Sequence, residues 1–366
     1  MRMADILEWR TTPAAGLYLH VTRRCPLSCG HCSMRSTMHL AETDPAPLLR
    51  LVDSFTTDDH PRFVCLTGGE PLLRPGLIRS LGDTARQAGS YVVMATGGFF
   101  ITKPDVPPAI DGALRSVDHV VLSMDAFHEP EVPRRRSIEF LHTVLARGQG
   151  ASVQLVGTGA SDPYVVATID DLRRAFGDEV AILVGTLVPV GRGADLGTVR
   201  LVEPGDHDHR DHGAAATVAA QGCPMLSWPV VTDDGSVVAC CDQHVVDGAD
   251  VAHLRIGTAA RLTWPEIRRF VTERPMSRAI RVFGPRYLAA RSAPDLLQAG
   301  ACTTCHSIGG HAGIEADAEH LVASPTLSMI EDLVRRDAVT HLPNGVPELA
   351  HLAFAGTAVA APRRRG

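Results

Sequence analysis

Cys25, Cys29 and Cys32 stand in the run Cys25-Pro-Leu-Ser-Cys29-Gly-His31-Cys32. A [4Fe–4S] cube has four irons, so three thiolates on one short loop leave one iron without a protein ligand and open to a small molecule. Structural zinc is the competing use of such a loop. It wants four closed ligands, and no fourth Cys or His stands at usual zinc spacing, because His31 lies inside the loop itself. Cysteines resume far downstream as Cys223, Cys240, Cys241, Cys302 and Cys305. Trp228 to Thr232, the turn Asp233-Asp234-Gly235 and Ser236 to Cys240 read as a β-hairpin that brings Cys240 beside the segment holding Cys223. Cys65 lies within an apolar run and reads as a small buried hydrophobe.

Such residues act only where secondary structure brings them together. From residue 17 to about 186, β-branched runs alternate with segments of helical spacing, the signature of repeated βαβ units. The expected strands are Leu17 to Thr22, Phe63 to Leu66, Tyr91 to Thr96, Val120 to Ser123, Ser152 to Val156 and Val180 to Thr186. Patterns such as Pro47 to Val52 and Ser137 to Leu145 supply the helices. Six units fall short of the eight of a closed barrel, so the fold class is α/β with a partial, open (β/α)6 TIM-like barrel. Ligands of parallel α/β structures gather at the carboxyl ends of the strands. The cysteine loop follows strand one, Thr67-Gly68-Gly69-Glu70-Pro71 follows strand two, Thr96-Gly97-Gly98 follows strand three, and Ser123-Met124-Asp125 ends strand four. Gly68 and Gly69 lack Cβ atoms and let backbone approach a ligand, while Glu70 can accept hydrogen bonds from an ammonium. Ser123 and Asp125 offer oxygens suited to a ribose, and Asp125 can instead face a substrate.

Together the loop, the Gly-Gly-Glu turn and the barrel rhythm resemble the radical SAM superfamily, whose C-x3-C-x2-C signature Cys25, Cys29 and Cys32 match. The resemblance implies a [4Fe–4S] cluster whose free iron binds S-adenosylmethionine by its amino and carboxylate groups. It implies cofactor contacts from Gly68, Gly69, Glu70 and Pro71 to the methionyl amino group, and from Thr96, Ser123 and Asp125. His31 stands where the family has an aromatic residue packing on adenine, and Gly97 replaces the Asn of a strand-three Thr-Asn-Gly. Val188-Pro189-Val190-Gly191-Arg192-Gly193 is similar to the Pro-x-Gly-Arg segment that leads out of the barrel in relatives with an extra cluster domain. There Arg192 can bind a substrate carboxylate or hydroxyl in a fork, or form a surface salt bridge.

The C-x11-G-x4-C pattern from Cys223 to Cys240, followed by Cys302-Thr-Thr-Cys305, resembles the front of the SPASM domain or its shorter twitch relative. The resemblance implies one auxiliary [4Fe–4S] cluster on Cys223, Cys240, Cys302 and Cys305, with a zinc ribbon of the same thiolates as the alternative. Cys241 can replace Cys240, since adjacent strand residues face opposite sides. The expected organisation is a lead-in (1–16), the barrel (17–200), a linker (201–222), the auxiliary domain (223–310) and a helical extension with a frayed end (311–366). In the extension, Ser324-Pro325 starts a helix through about Arg336.

Composition narrows the partners. The 366 residues carry 35 basic and 41 acidic side chains, a formal charge of −6 that argues against nucleic acid. Arg134-Arg135-Arg136, Arg363-Arg364-Arg365 and the His/Asp alternation from Asp206 to His212 read as solvated segments. With no signal peptide and no membrane span, a cytoplasmic protein with reduced thiols is expected.

The chemistry so implied is reductive cleavage of S-adenosylmethionine to a 5′-deoxyadenosyl radical that takes hydrogen from an unactivated carbon. An external one-electron donor such as flavodoxin or ferredoxin would feed it. The expected substrate is a ribosomally made peptide that is epimerised or cross-linked, with Cys241 as hydrogen-atom donor and Asp125 and Arg192 toward the substrate. Against the peptide, the cysteine loop begins at residue 25, leaving no room before it for the leader-binding domain many peptide enzymes carry; a separate leader-peptide-binding protein is the partner a peptide substrate would then need. Radical dehydrogenation or epimerisation of an aminocyclitol or aminoglycoside stays open, because one fully ligated auxiliary cluster resembles that type. A non-catalytic iron–sulfur or zinc scaffold also stays open.

Overall fold

Short β-branched runs bounded by Gly, Pro and polar residues become the strands of a mixed sheet in a computed structural model, which describes residues 3–103, 105–159, 162–197 and 218–340. β1 (Gly16–His20), β2 (Phe63–Thr67), β3 (Tyr91–Thr96), β4 (His119–Ser123), β5 (Gly150–Gly157) and β6 (Ala181–Thr186) pair in sequence order, all parallel. All six expected strands are present, with ends moved by no more than two residues. Beyond β1 the sheet continues through β7 (Val230–Val231), parallel to β1, and then antiparallel β8 (Ser236–Val238) and β9 (Arg255–Thr258). The strand order β6-β5-β4-β3-β2-β1-β7-β8-β9 leaves β6 and β9 as edges, so the barrel is open.

The helices of the barrel half are α1 (Met3–Leu7), α2 (Ala46–Asp53), α3 (Pro75–Ala88), α4 (Pro108–Leu114), α5 (Arg134–Ala146) and α6 (Pro163–Phe176). Proline at N1 or N2 opens α2, α3, α4 and α6, where its missing N–H loses no helical bond. Strand alternation then sorts the side chains onto two faces. Val64, Leu66, Val92, Met94, Val120 and Leu122 pack with Ile78, Leu81, Leu141 and Leu172 of the helices. The opposite residues Phe63, Cys65, Val93 and Val121 gather with Met3 and Ile6 of α1 and with Trp228. Cys65 is therefore a filler, as expected, and burial pushes its thiol up to about 12.

The second half adds α7 (Gln243–Val246), α8 (Trp264–Glu273), α9 (Pro275–Phe283), α10 (Pro285–Ser292), α11 (Ala301–Ser307), α12 (Ala312–Ala323) and α13 (Pro325–Thr340). A separate core of Leu226, Val230, Val238, Met276, Ile280, Leu288 and Ile314 holds it. Trp264 bridges the halves: its fully buried ring meets Phe55 at 5.8 Å, and its backbone N–H donates to Ser54 Oγ at 2.9 Å. The expected helix after Ser324 is α13, which packs on the outside through buried Leu327 and the Arg278–Glu331 ion pair to α9. The Asp206–His212 segment, Arg363 to Arg365 and most of the expected linker lie outside the described residues.

Candidate active site

The carboxyl ends of β1 to β4 converge on the cysteine loop. Gly69 N–H donates to Thr22 O at 2.7 Å and Glu70 N–H to Arg24 O at 2.8 Å, extending the contact between β1 and β2 past the strand ends. A Cβ on Gly68, whose φ is +140°, would lie 2.3 Å from Thr22 O, and one on Gly69 would lie 2.4 Å from Arg24 O. Backbone does approach closely here, and on the side a Cβ would occupy the neighbour is the start of the cysteine loop. Pro71 is buried at the start of a single 3-10 turn, Pro71–Leu73.

Glu70 is fully buried. Its Oε1 accepts from Leu72 N–H at 3.0 Å, its Oε2 from Gly97 N–H at 3.0 Å, and Thr96 Oγ reaches both oxygens at 2.9 Å. Burial pushes the carboxyl up to about 7, against these hydrogen bonds and the nearby His128, which favour its charge. Three donors leave roughly one of the carboxylate's four lone-pair sites for a further donor. Gly97, to which the sequence assigned no role, is a ligand of Glu70, and a Cβ there would press on Leu27 at 2.6 Å.

Asp125, 1% exposed, lies just past β4 and accepts from Phe127 N–H at 3.0 Å and His128 N–H at 3.2 Å. His128 Nδ1 lies 2.9 Å from the same oxygen, Oδ1, and His31 Nε2 lies 3.5 Å from Oδ2. His31, Asp125 and His128 place one ligand atom each within 4.8 Å of one another. Burial alone would lower His128, but hydrogen bonds to Asp125 and Cys29 outweigh it and hold it at about 10. Burial lowers His31, whose ring lies on Phe127 at 4.7 Å. Phe127 and His128 were not singled out in the sequence; their only signal was position, two and three residues after Asp125. Ser123, half-buried, ends β4 opposite Gln154.

Arg192 turns its guanidinium to the cysteine loop. Its Nε donates to Cys29 O at 2.9 Å, its Nη1 to Ser36 O at 2.7 Å, and its backbone N–H to Cys32 O at 2.9 Å. Adjacent Gly191, with φ of +55°, passes so near the loop that a Cβ would meet Ser33 O at 2.1 Å. The segment leaving β6 thus clamps the cysteine loop from the far side of the barrel.

In the second half, Cys240 is buried with Cys223, Cys305 and Cys241 near enough to raise its thiol, after burial itself, well above the usual range. Cys305 is raised in the same way by burial, then by Cys223 and Cys302. Cys302 and Cys305 share a face of α11 at i, i+3. Asp242 N–H points at Cys240 Sγ at 3.3 Å, and His253 Nε2 lies 3.3 Å from Cys305 Sγ. Cys241 Sγ is instead 3.9 Å from Arg10 Nη2, whose guanidinium lies over Trp228 at 4.4 Å. Trp228 in turn packs on Phe63, the first residue of β2, while Cys241 also packs against the core that holds Cys240. Burial raises the thiols of Cys25, Cys240 and Cys305, and thiols so held ionise only against a cation, so both sets suit a thiolate-bound metal.

Comparison with known proteins agrees with this geometry. The chain is 34% identical over 121 residues to the PqqA peptide cyclase of Streptomyces rochei, covering 30% of this chain and 29% of the relative. It is 26% identical over 178 residues to the PqqA peptide cyclase of Methylocella silvestris, covering 48% and 44%. The chain thus spans less than half the length of these curated relatives. Among solved structures, Streptococcus suis SuiB shares the fold, with a TM-score of 0.52 over 86% of this chain and 75% of that one at 14% identity. Residues 19–184, β1 through β6 with the cysteine loop, match the model of the Radical SAM superfamily, a radical SAM domain that makes up just under half of the chain.

Proposed function

We propose that this chain cleaves S-adenosylmethionine reductively and takes a hydrogen atom from a carbon of a ribosomally made peptide. The observation that carries the first part is the buried Glu70 carboxylate, held by Leu72, Thr96 and Gly97 beside a loop of three cysteines. When bound, the cluster and S-adenosylmethionine supply the one-electron cleavage and the hydrogen-abstracting carbon centre. Cys25, Cys29 and Cys32 would hold three irons, with the loop fixed by Arg192 and the Gly68-Gly69 contact. Glu70 would accept the methionyl ammonium at its remaining lone pair, and that positive charge would hold it ionised. Thr96 orients the carboxylate and so acts through Glu70. Asp125 and Ser123 would meet the ribose, and His31, backed by Phe127, offers a flat face for adenine.

Cys223, Cys240, Cys302 and Cys305 would hold an auxiliary cluster. Their support is mutual proximity in one core together with spacing. Among the described residues no three of these sulfurs lie within 4.8 Å of one another, whereas sulfurs on one tetrahedral zinc sit about 3.8 Å apart. The peptide reading is supported by the curated relatives, which are named peptide cyclases.

Anaerobic reconstitution, dithionite reduction and detection of 5′-deoxyadenosine test the chemistry. No product from protein carrying about eight irons, as two cubane clusters require, would overturn it. Incubation with any short peptide found to be encoded beside the gene tests the substrate: a peptide mass change supports it, and turnover of an aminocyclitol with every peptide inert sinks it.

A further inference from the structure

His253 is 1% exposed and its ring has one polar neighbour of note, Cys305 Sγ at 3.3 Å from Nε2. Its other nitrogen, Nδ1, is sealed from solvent without a hydrogen-bond partner. Gly309 and Val251 adjoin that side of the ring: an ideal Cβ on Gly309 would lie 3.4 Å from both Nδ1 and Val251 Cγ1, so the neighbours there are apolar or backbone atoms. A buried N–H without an acceptor is costlier than a buried lone pair without a donor, so the ring proton belongs on Nε2, aimed at the sulfur. A neutral thiol is a weak acceptor and would leave this buried imidazole poorly satisfied, whereas a thiolate is a strong one. The neighbouring ligand repeats the arrangement, with Asp242 N–H directed at Cys240 Sγ at 3.3 Å. His253 reaches the site from the turn before β9, about fifty residues from Cys305 in sequence, so the pairing exists only in the fold.

We propose that His253 is a positioning residue for the auxiliary cluster, donating an Nε2–H···S hydrogen bond to the Cys305 thiolate that raises the cluster's reduction potential. The inference rests on the auxiliary-cluster reading above. Reduction adds negative charge that spreads onto the ligating sulfurs, and a fixed N–H dipole on one of them stabilises the reduced form more than the oxidised form. The ring itself is neither ligand nor redox partner.

An EPR-monitored redox titration of anaerobically reconstituted full chain compares wild type with His253→Leu and His253→Gln. The Leu variant is expected to shift the auxiliary midpoint to more negative potential. The Gln variant, whose amide can still donate, should fall between Leu and wild type. The midpoint of the cluster on Cys25, Cys29 and Cys32 should stay fixed in all three, as an internal reference. Unchanged auxiliary midpoints in variants that retain about eight irons would overturn the hydrogen bond alone. A wild type that binds only about four irons would overturn the auxiliary cluster and the inference with it. If the Leu variant does not hold iron, Gln is read beside His253→Met, which fills the space without donating: a Gln midpoint nearer wild type than that of Met supports the donor role, equal midpoints for the two overturn it, and a loss of iron with Gln as well makes His253 a ligand and refutes the proposal.

Discussion

Glu70 shows how a residue type legible in sequence acquires its chemistry from burial. Its carboxyl lies near 4.5 in an unfolded chain and at about 7 when folded, so between those values the folded chain keeps a proton that the unfolded chain releases. Without S-adenosylmethionine, stability should therefore fall as pH rises through that window, by about 3 kcal/mol in all, and level off above it. Urea midpoints of iron-loaded wild type and Glu70→Gln at pH 5 and pH 8 check this: Gln should gain on wild type at pH 8, and an equal difference at both would contradict the burial. Arg192 was legible as a cation in the right segment, but its partners were not, because the carbonyls of Cys29 and Ser36 lie some 160 residues upstream and only the fold sets them in its reach. Arg192→Ala is expected to lose up to about four irons on reconstitution, one cluster's worth, and Arg192→Lys to recover part, since an ammonium cannot span both carbonyls as a fork does. Iron counting per chain decides.

At the scale of elements, local chemistry sets the boundaries closely. Proline opens helix after helix, and Asp162 caps α6 by accepting from Tyr164 N–H at 2.9 Å and Val165 N–H at 3.4 Å, with Thr158 N–H at 2.9 Å on the same carboxylate. These bonds outweigh its partial burial and hold the carboxyl below its usual range. The cap is thus fully present above about pH 4 and lost as pH falls through the depressed value. Asp162→Ala should cost about 1 kcal/mol at pH 7, with less difference from wild type at pH 3; a constant difference in chemical denaturation would count against the cap. The triple-arginine run at the start of α5 is likewise local. Arg135 and Arg136 pair with Glu139, and Arg134 pairs with Asp171 and lies over Tyr164, so the run expected as a solvated face is a paired one in which only Arg135 is largely solvated. The hairpin at Asp233-Asp234-Gly235 was equally plain, since Asp234 accepts from Ser236 N–H at 2.9 Å within the turn.

Over the whole molecule, the two halves are joined by a shared sheet and a shared core. β7 adds to the free edge of β1 and covers backbone groups that the barrel alone would leave open. Trp264, from the second half, sits in the core of the first. Trp264→Ala is expected to cost about 3–5 kcal/mol, and to lower the unfolding midpoint of both halves together. Near-UV circular dichroism for the packing and iron–sulfur absorbance for the clusters should report one shifted transition, and loss of the second half alone would show that the halves are independent. By itself the sequence determined the repeated βαβ architecture, the cysteine sets and the Gly-Gly-Glu turn, because strand periodicity, turn chemistry and ligand spacing are local properties of the chain. It offered Arg192 to a substrate or a surface salt bridge, assigned Gly97 no role and passed over His128 and His253. Those were decided by the tertiary structure, because hydrogen bonds between residues far apart in sequence and the burial that shifts a carboxyl exist only once the strands and loops are packed together.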